Sequence, residues 1–177
     1  MPKTKKTNRI IAIDPSSRYV GIAILENSTT SHKIPELIYW GVKTLKNRNS
    51  AKLHLQEARN MILELIDIYH PSAIVQEKVW FAPSRLSDRL KQIFQETKKQ
   101  VKKEKIHYTE YAPTTVRKHI CKDGWATKKE TAKIITSIYP ELKINLTQDK
   151  IWKEKYWGHM FDAVALGLCH LRKIDHE

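Results

Sequence analysis

Residues 9–14, Arg-Ile-Ile-Ala-Ile-Asp, form an almost unbroken apolar run that closes on a carboxylate and is followed by Pro15. A run apolar on both faces reads as a strand in the middle of a covered sheet. Proline disfavours helical geometry in the residue before it, so Asp14 is extended at the strand's end. The polar turn Pro-Ser-Ser-Arg leads into a second strand at 19–25, and a polar loop leads into a third at 36–45. Connections this short suit an antiparallel meander. A helix follows over 50–69, with Ala58, Met61, Ile62, Leu65, Ile66 and Tyr69 on one face and His70-Pro71 at its end. Strands at 72–77 and 106–111 alternate with helices at 84–105 and 113–122. Thr127 and Glu130 form a capping box for a helix reaching Tyr139. Residues 140–157 show no clear period, and a last helix is expected from Gly158 to Lys173. The expected class is α/β, with a mixed five-stranded sheet (a three-strand antiparallel meander plus two parallel strands) flanked by helices. Residues 1–177 are expected to form one domain, with 1–8 a disordered basic arm.

Lys and Arg number 32 against 19 Asp and Glu, a formal charge of +13. Such an excess speaks to partners, and nucleic acid is the commonest polyanion. The charge is clustered over 85–105 and again over Arg117, Lys118, Lys122, Lys128, Lys129 and Lys133. Lysine-rich helices can also be merely well solvated. Lys outnumbers Arg, which favours phosphate and shape over base-edge readout. Two cysteines far apart exclude a disulfide scaffold and argue against a Cys-based zinc site. No apolar run is long enough to span a membrane, and the apolar segment after the basic N-terminus is too short for a secretory signal. A cytoplasmic protein is expected, in a bacterial or phage-infected cell, with no membrane partner.

Three acids sit in three of the most apolar segments: Asp14 after IIAI, Glu77 after AIVQ, and Asp162 within GHMFDAVALGLCHL. A carboxylate emerging from a buried strand is costly unless it is paired or bound to metal. His159 lies three residues before Asp162, on the same helix face. Each has a plain structural explanation alone: Asp14 as a turn residue, Glu77 as a lysine partner, Asp162 as a cap, His159 as an incidental residue near a helix start. Their conjunction points to a divalent-metal site with hard oxygen ligands.

Together with YAPTTVRKHICKDGWATKKE at 111–130, these segments resemble the RuvC family of Holliday-junction resolvases within the ribonuclease H-like superfamily. The resemblance covers almost the whole chain and implies a metal-dependent endodeoxyribonuclease that resolves four-way junctions as a homodimer by two symmetric nicks. It places the acidic site on Asp14, Glu77, His159 and Asp162, holding two Mg²⁺, with Mn²⁺ able to substitute and no small-molecule cofactor. Arg117 and Lys128 fall on the family's basic positions near the scissile phosphate, and Trp80 on its base-stacking aromatic. Phe81, Arg85, Lys118, Lys122 and Lys129 join these as expected DNA contacts. Two departures stand out: Ser16 where the family has Gly, and Cys121-Lys122-Asp123-Gly124 where it has a T-G-x-G turn. Spacings and composition suggest a phage or viral branch.

Three rivals remain open on the residues. A ribonuclease H-like enzyme acting on RNA–DNA hybrids, flaps or forks would use the same metals. An actin-like ATPase also ends its first strand in Asp, but needs glycine-rich phosphate loops, and this chain has five scattered glycines. A non-catalytic DNA-binding module built on 113–139 would leave the three embedded acids unexplained.

Overall fold

The computed structural model describes residues 8–16, 18–27, 34–47, 49–78, 85–146 and 151–174, with the side chains of 85–89 and 151–154 outside the description. The strands are β1 (Asn8–Pro15), β2 (Tyr19–Asn27), β3 (Glu36–Thr44), β4 (Ala73–Glu77) and β5 (His107–Tyr111). They lie in the order β3-β2-β1-β4-β5. The β1–β2 and β2–β3 pairs are antiparallel, while β1–β4 and β4–β5 are parallel. The expected mixed sheet is therefore observed. The expected arm over 1–8 falls on residues outside the description, except for Asn8, which opens β1.

Side-chain alternation divides the core in two. Ile10 and Ala12 of β1, with Ala73 and Val75 of β4, face one cluster. Ile11, Ile13 and Ile74 face the other. The second cluster is closed by α1 (Ala51–Tyr69) and α2 (Arg85–Lys103), through residues such as Ile62, Leu65, Ile93 and Val101. Ser50 caps α1, its hydroxyl accepting from the Leu53 N–H, and His70 ends the helix in the left-handed region at φ 45°.

The first cluster is closed by α3 (Pro113–Cys121), α4 (Lys128–Ile138) and α6 (Ile151–Ile174). A 3₁₀ turn (Pro140–Leu142) and the one-turn α5 (Lys143–Leu146) join α4 to α6. The capping box forms as expected: the Glu130 N–H donates to the Thr127 hydroxyl, and the Thr127 N–H to the Glu130 carboxylate. One boundary is corrected. The last helix begins at Ile151, not Gly158, because the segment from Trp152 to Trp157 lacks a helix breaker and Gly158 is carried within the helix. His159 and Asp162 therefore lie well inside α6, and the capping explanation of Asp162 is removed. From Met160 to Leu171 every residue of α6 is buried, so the helix is sandwiched between the sheet and α3/α4. Among the described residues no helix is long and apolar enough to cross a membrane.

His170 is buried in this layer, with Nδ1 3.0 Å from the Tyr111 hydroxyl of β5. Burial, reinforced by Lys173, holds its pKa below the ordinary histidine value. The unfolded chain therefore takes up this proton first, and the contribution of neutral His170 to stability is lost as pH falls below about 6.5. Glu77 has the opposite sign: its pKa is raised to about 8, so it favours the folded state more at low pH and loses that contribution as pH rises through 8. Urea midpoints at pH 7.5 and 5.5 separate the two, because His170→Gln should lose less stability on acidification than the parent chain. Equal losses would show that His170 does not carry the effect.

Candidate active site

Two-residue periodicity decides which way the first two acids point. Asp14 shares the parity of Ile10 and Ala12, and Glu77 that of Ala73 and Val75, so both project to the α6 side of the sheet. Parallel pairing of β1 and β4 runs through Ile13 and Gln76, so Asp14 and Glu77 end adjacent strands at the same edge. That edge is where α/β sheets commonly bind ligands.

The helix α6 supplies the rest. His159 Nδ1 donates to Asp14 Oδ2 at 2.6 Å. Asp162, one turn further on and 8% exposed, accepts a hydrogen bond from the Lys128 ammonium. Lys128 is the first residue of α4, where the helix dipole disfavours a cation. Burial alone would lower its pKa, but Asp162, with Asp14 and Glu77 beyond it, raises it.

The carboxylates feel one another. Burial, then the charges of Asp14 and Asp162, push Glu77 up to about 8, against the lowering influence of Lys128 and Arg117. Burial and Asp14 likewise raise Asp162, opposed by Lys128 and His159. The structure thus groups Asp14, Glu77, Asp162, His159 and Lys128, with Arg117 of α3 close enough to act on Glu77. Asp14 and Asp162 each have a nitrogen partner, and among the described residues no three His, Cys, Asp or Glu side chains are arranged to ligate one ion.

The other expected contacts divide by position. Lys118, Lys122 and Lys129 are exposed around the α3–α4 turn, beside Lys128. Arg85 opens α2, but its side chain lies outside the description. Trp80 and Phe81 lie outside the described residues altogether. In the basic helix α2, Lys98 pairs with Glu110 at 3.0 Å and lies over the Tyr108 ring, so it is tied to β5. Lys99, Lys102 and Lys103 are exposed.

Sequence reasoning missed two residues that position the site. Gly21 lies opposite Asp14 in the β1–β2 ladder, and a Cβ built there would lie 1.9 Å from the His159 carbonyl oxygen. Only a missing side chain lets α6 approach closely enough for His159 to meet Asp14. Tyr19 packs at 6.2 Å from the His159 ring and edge-on to Tyr156, whose hydroxyl donates to the Val42 carbonyl. Its position directly after the Ser-Ser-Arg turn was the available signal. Ser16, which departs from the family pattern, needs no left-handed backbone: its N–H and hydroxyl both donate to the Tyr19 carbonyl, closing the turn behind Asp14.

The arrangement has counterparts among known proteins. A relative from Prochlorococcus marinus (strain AS9601), named Crossover junction endodeoxyribonuclease RuvC, is 29% identical over 165 residues, covering 93% of this chain and 97% of its own. The Thermus thermophilus RuvC structure superposes with a TM-score of 0.75 at 18% identity, covering 95% of this chain and 96% of that one. T. thermophilus RuvC in complex with Holliday junction substrate gives 0.72 at 17% identity, covering 95% of each chain. At these identities the structural likeness establishes the ribonuclease H-like fold. The family model described as Crossover junction endodeoxyribonuclease RuvC matches residues 10–170. With a match running from the first strand into the last helix, this chain belongs to the RuvC family.

Proposed function

We infer that this chain is a Holliday-junction resolvase that hydrolyses DNA phosphodiesters at the cluster formed by Asp14, Glu77, Asp162 and His159. The observation that carries the reading is the convergence of three carboxylates from β1, β4 and α6 beside two cationic side chains, in a chain of this family. Three carboxylates and an imidazole are a hard donor set, suited to Mg²⁺ or Mn²⁺. Burial and their mutual repulsion, which together raise the Glu77 pKa, are what a divalent cation would relieve. Asp14, Glu77, Asp162 and His159 would hold the metal, two ions per site. When bound, the metal supplies Lewis-acid activation of water and stabilises charge on the leaving 3′-oxygen.

The chain's own side chains do the remaining work. The Lys128 ammonium and Arg117 guanidinium lie beside the carboxylates and neutralise charge developing on the scissile phosphate. The bond from His159 to Asp14 fixes that carboxylate's orientation, and Tyr19 backs the imidazole. Exposed Lys118, Lys122 and Lys129 carry the approaching duplex arm by its phosphates. A four-way junction has approximate two-fold symmetry, so a homodimer presenting two such sites would make paired nicks.

The test is a cleavage panel of four-way junctions, flaps, forks, linear duplex and RNA–DNA hybrid, with Mg²⁺, Mn²⁺ or chelator. Symmetric paired nicks in the four-way junction, abolished by chelator, are expected. Binding without cutting in either metal would defeat the nuclease reading, and preferential cutting of hybrid would replace the substrate.

A further inference from the structure

Trp125 is the most exposed of the large hydrophobic residues described, at 87%. Its position is defined by the turn that holds it. Lys122 ends α3 in the left-handed region at φ 63°. The Asp123 side chain accepts from the Trp125 N–H at 2.9 Å, and the Asp123 carbonyl from the Ala126 N–H at 3.3 Å. The capping box of α4 begins two residues later. An indole is thus carried out into solvent on a braced turn. The backbone that carries the indole is already ordered, so binding has only its side-chain torsions left to fix.

What surrounds it identifies the occupant. Lys118, Lys122, Lys128 and Lys129 flank the turn, and Lys128 reaches the candidate catalytic carboxylates three residues away. The nearby acids are already engaged, Asp123 within the turn and Glu130 in the cap. A flat apolar ring set among cations matches a partner that carries both phosphates and aromatic faces. The geometry points to Trp125 as a stacking platform for an unpaired or splayed nucleobase next to the scissile phosphate of a branched DNA. This assignment rests on the resolvase reading and adds to it a second aromatic contact besides the expected Trp80, in the turn between α3 and α4. A base held here would set which strand position lies over the catalytic cluster.

Stacking on an exposed base requires a base that is not paired in a duplex. Trp125→Ala should therefore weaken four-way junction binding by about five- to a hundredfold, with linear-duplex affinity and the urea midpoint unchanged. Trp125→Tyr should restore most of the loss. A junction carrying 2-aminopurine beside the cleavage point should be quenched by the parent chain and bright with Trp125→Ala. Junction binding unaffected by Trp125→Ala, or equal weakening for junction and duplex, overturns the assignment while leaving the resolvase reading intact. A lower sedimentation mass for Trp125→Ala would make the indole a contact between copies of the chain and also overturn it. If the parent chain itself shows no preference for junction over duplex, the resolvase reading falls and the assignment falls with it.

Discussion

Asp14→Asn should abolish cleavage while leaving the fold and junction binding in place. Asparagine is nearly isosteric, and its carbonyl oxygen can still accept the hydrogen bond that His159 donates to Asp14. It has lost the full charge and the second anionic oxygen with which a carboxylate holds divalent ions. Metal-ion catalysis contributes several kcal/mol, and at 1.36 kcal/mol per decade the rate should fall by about a thousandfold or more. Junction affinity measured in chelator should persist or tighten, because one charge that repels phosphate has gone. Glu77→Gln and Asp162→Asn should separate binding from cutting in the same way. His159→Ala should be milder, since water can replace the imidazole as a ligand. A variant Asp14→Asn that cuts at the parent rate would remove the proposed centre.

The second large effect comes from a residue that touches no substrate. Gly21→Ala would place a methyl 1.9 Å from the carbonyl oxygen of His159 and 2.3 Å from its carbonyl carbon. Both obstacles are backbone in the middle of α6, so no rotamer change relieves the clash. Either the helix lifts from β2 or the strand yields, and overpacking of this kind costs about 3 kcal/mol or more. Whichever moves, His159 leaves Asp14 and Asp162 shifts with it, so cleavage should be lost even where the variant folds. Gly158→Ala is the matched control, because a methyl there meets nothing within 4 Å. It should stabilise the helix by about 1 kcal/mol. Urea midpoints of the two variants should therefore move in opposite directions, with junction cleavage lost only in Gly21→Ala. Native stability and activity in Gly21→Ala would contradict the close approach of α6 to the sheet.

The sequence by itself determined the features that repeat over a few residues. Period two along IIAID and AIVQE aligns Asp14 with Ile10 and Ala12 and Glu77 with Ala73 and Val75, and the i, i+3 spacing places His159 beside Asp162. Short connections made β1–β3 a meander, and the capping box located the start of α4, with Lys128 at its first residue. The family motifs carried these local readings to a common site. Trp125 stood in one of those motifs, but its exposure had no local signal, since an indole in a turn is as often folded back onto the core.

Tertiary structure alone decided what depends on how closely separate elements meet. The period faded before Gly158, yet Tyr156 packs on Tyr19 and bonds the Val42 carbonyl, Trp157 packs against the core, and α6 runs back to Ile151 with His159 well inside the helix. The role of Gly21 is invisible from its strand, because the atom its Cβ would strike belongs to a residue 138 positions away along the chain. Lys98 and Lys128 look alike in sequence, two lysines in basic helices. One is tied to Glu110 across the β5 side of the sheet and the other to the carboxylate of Asp162. A side chain's charge is set by its own chemistry, but its direct partner is set by which element the fold brings within reach.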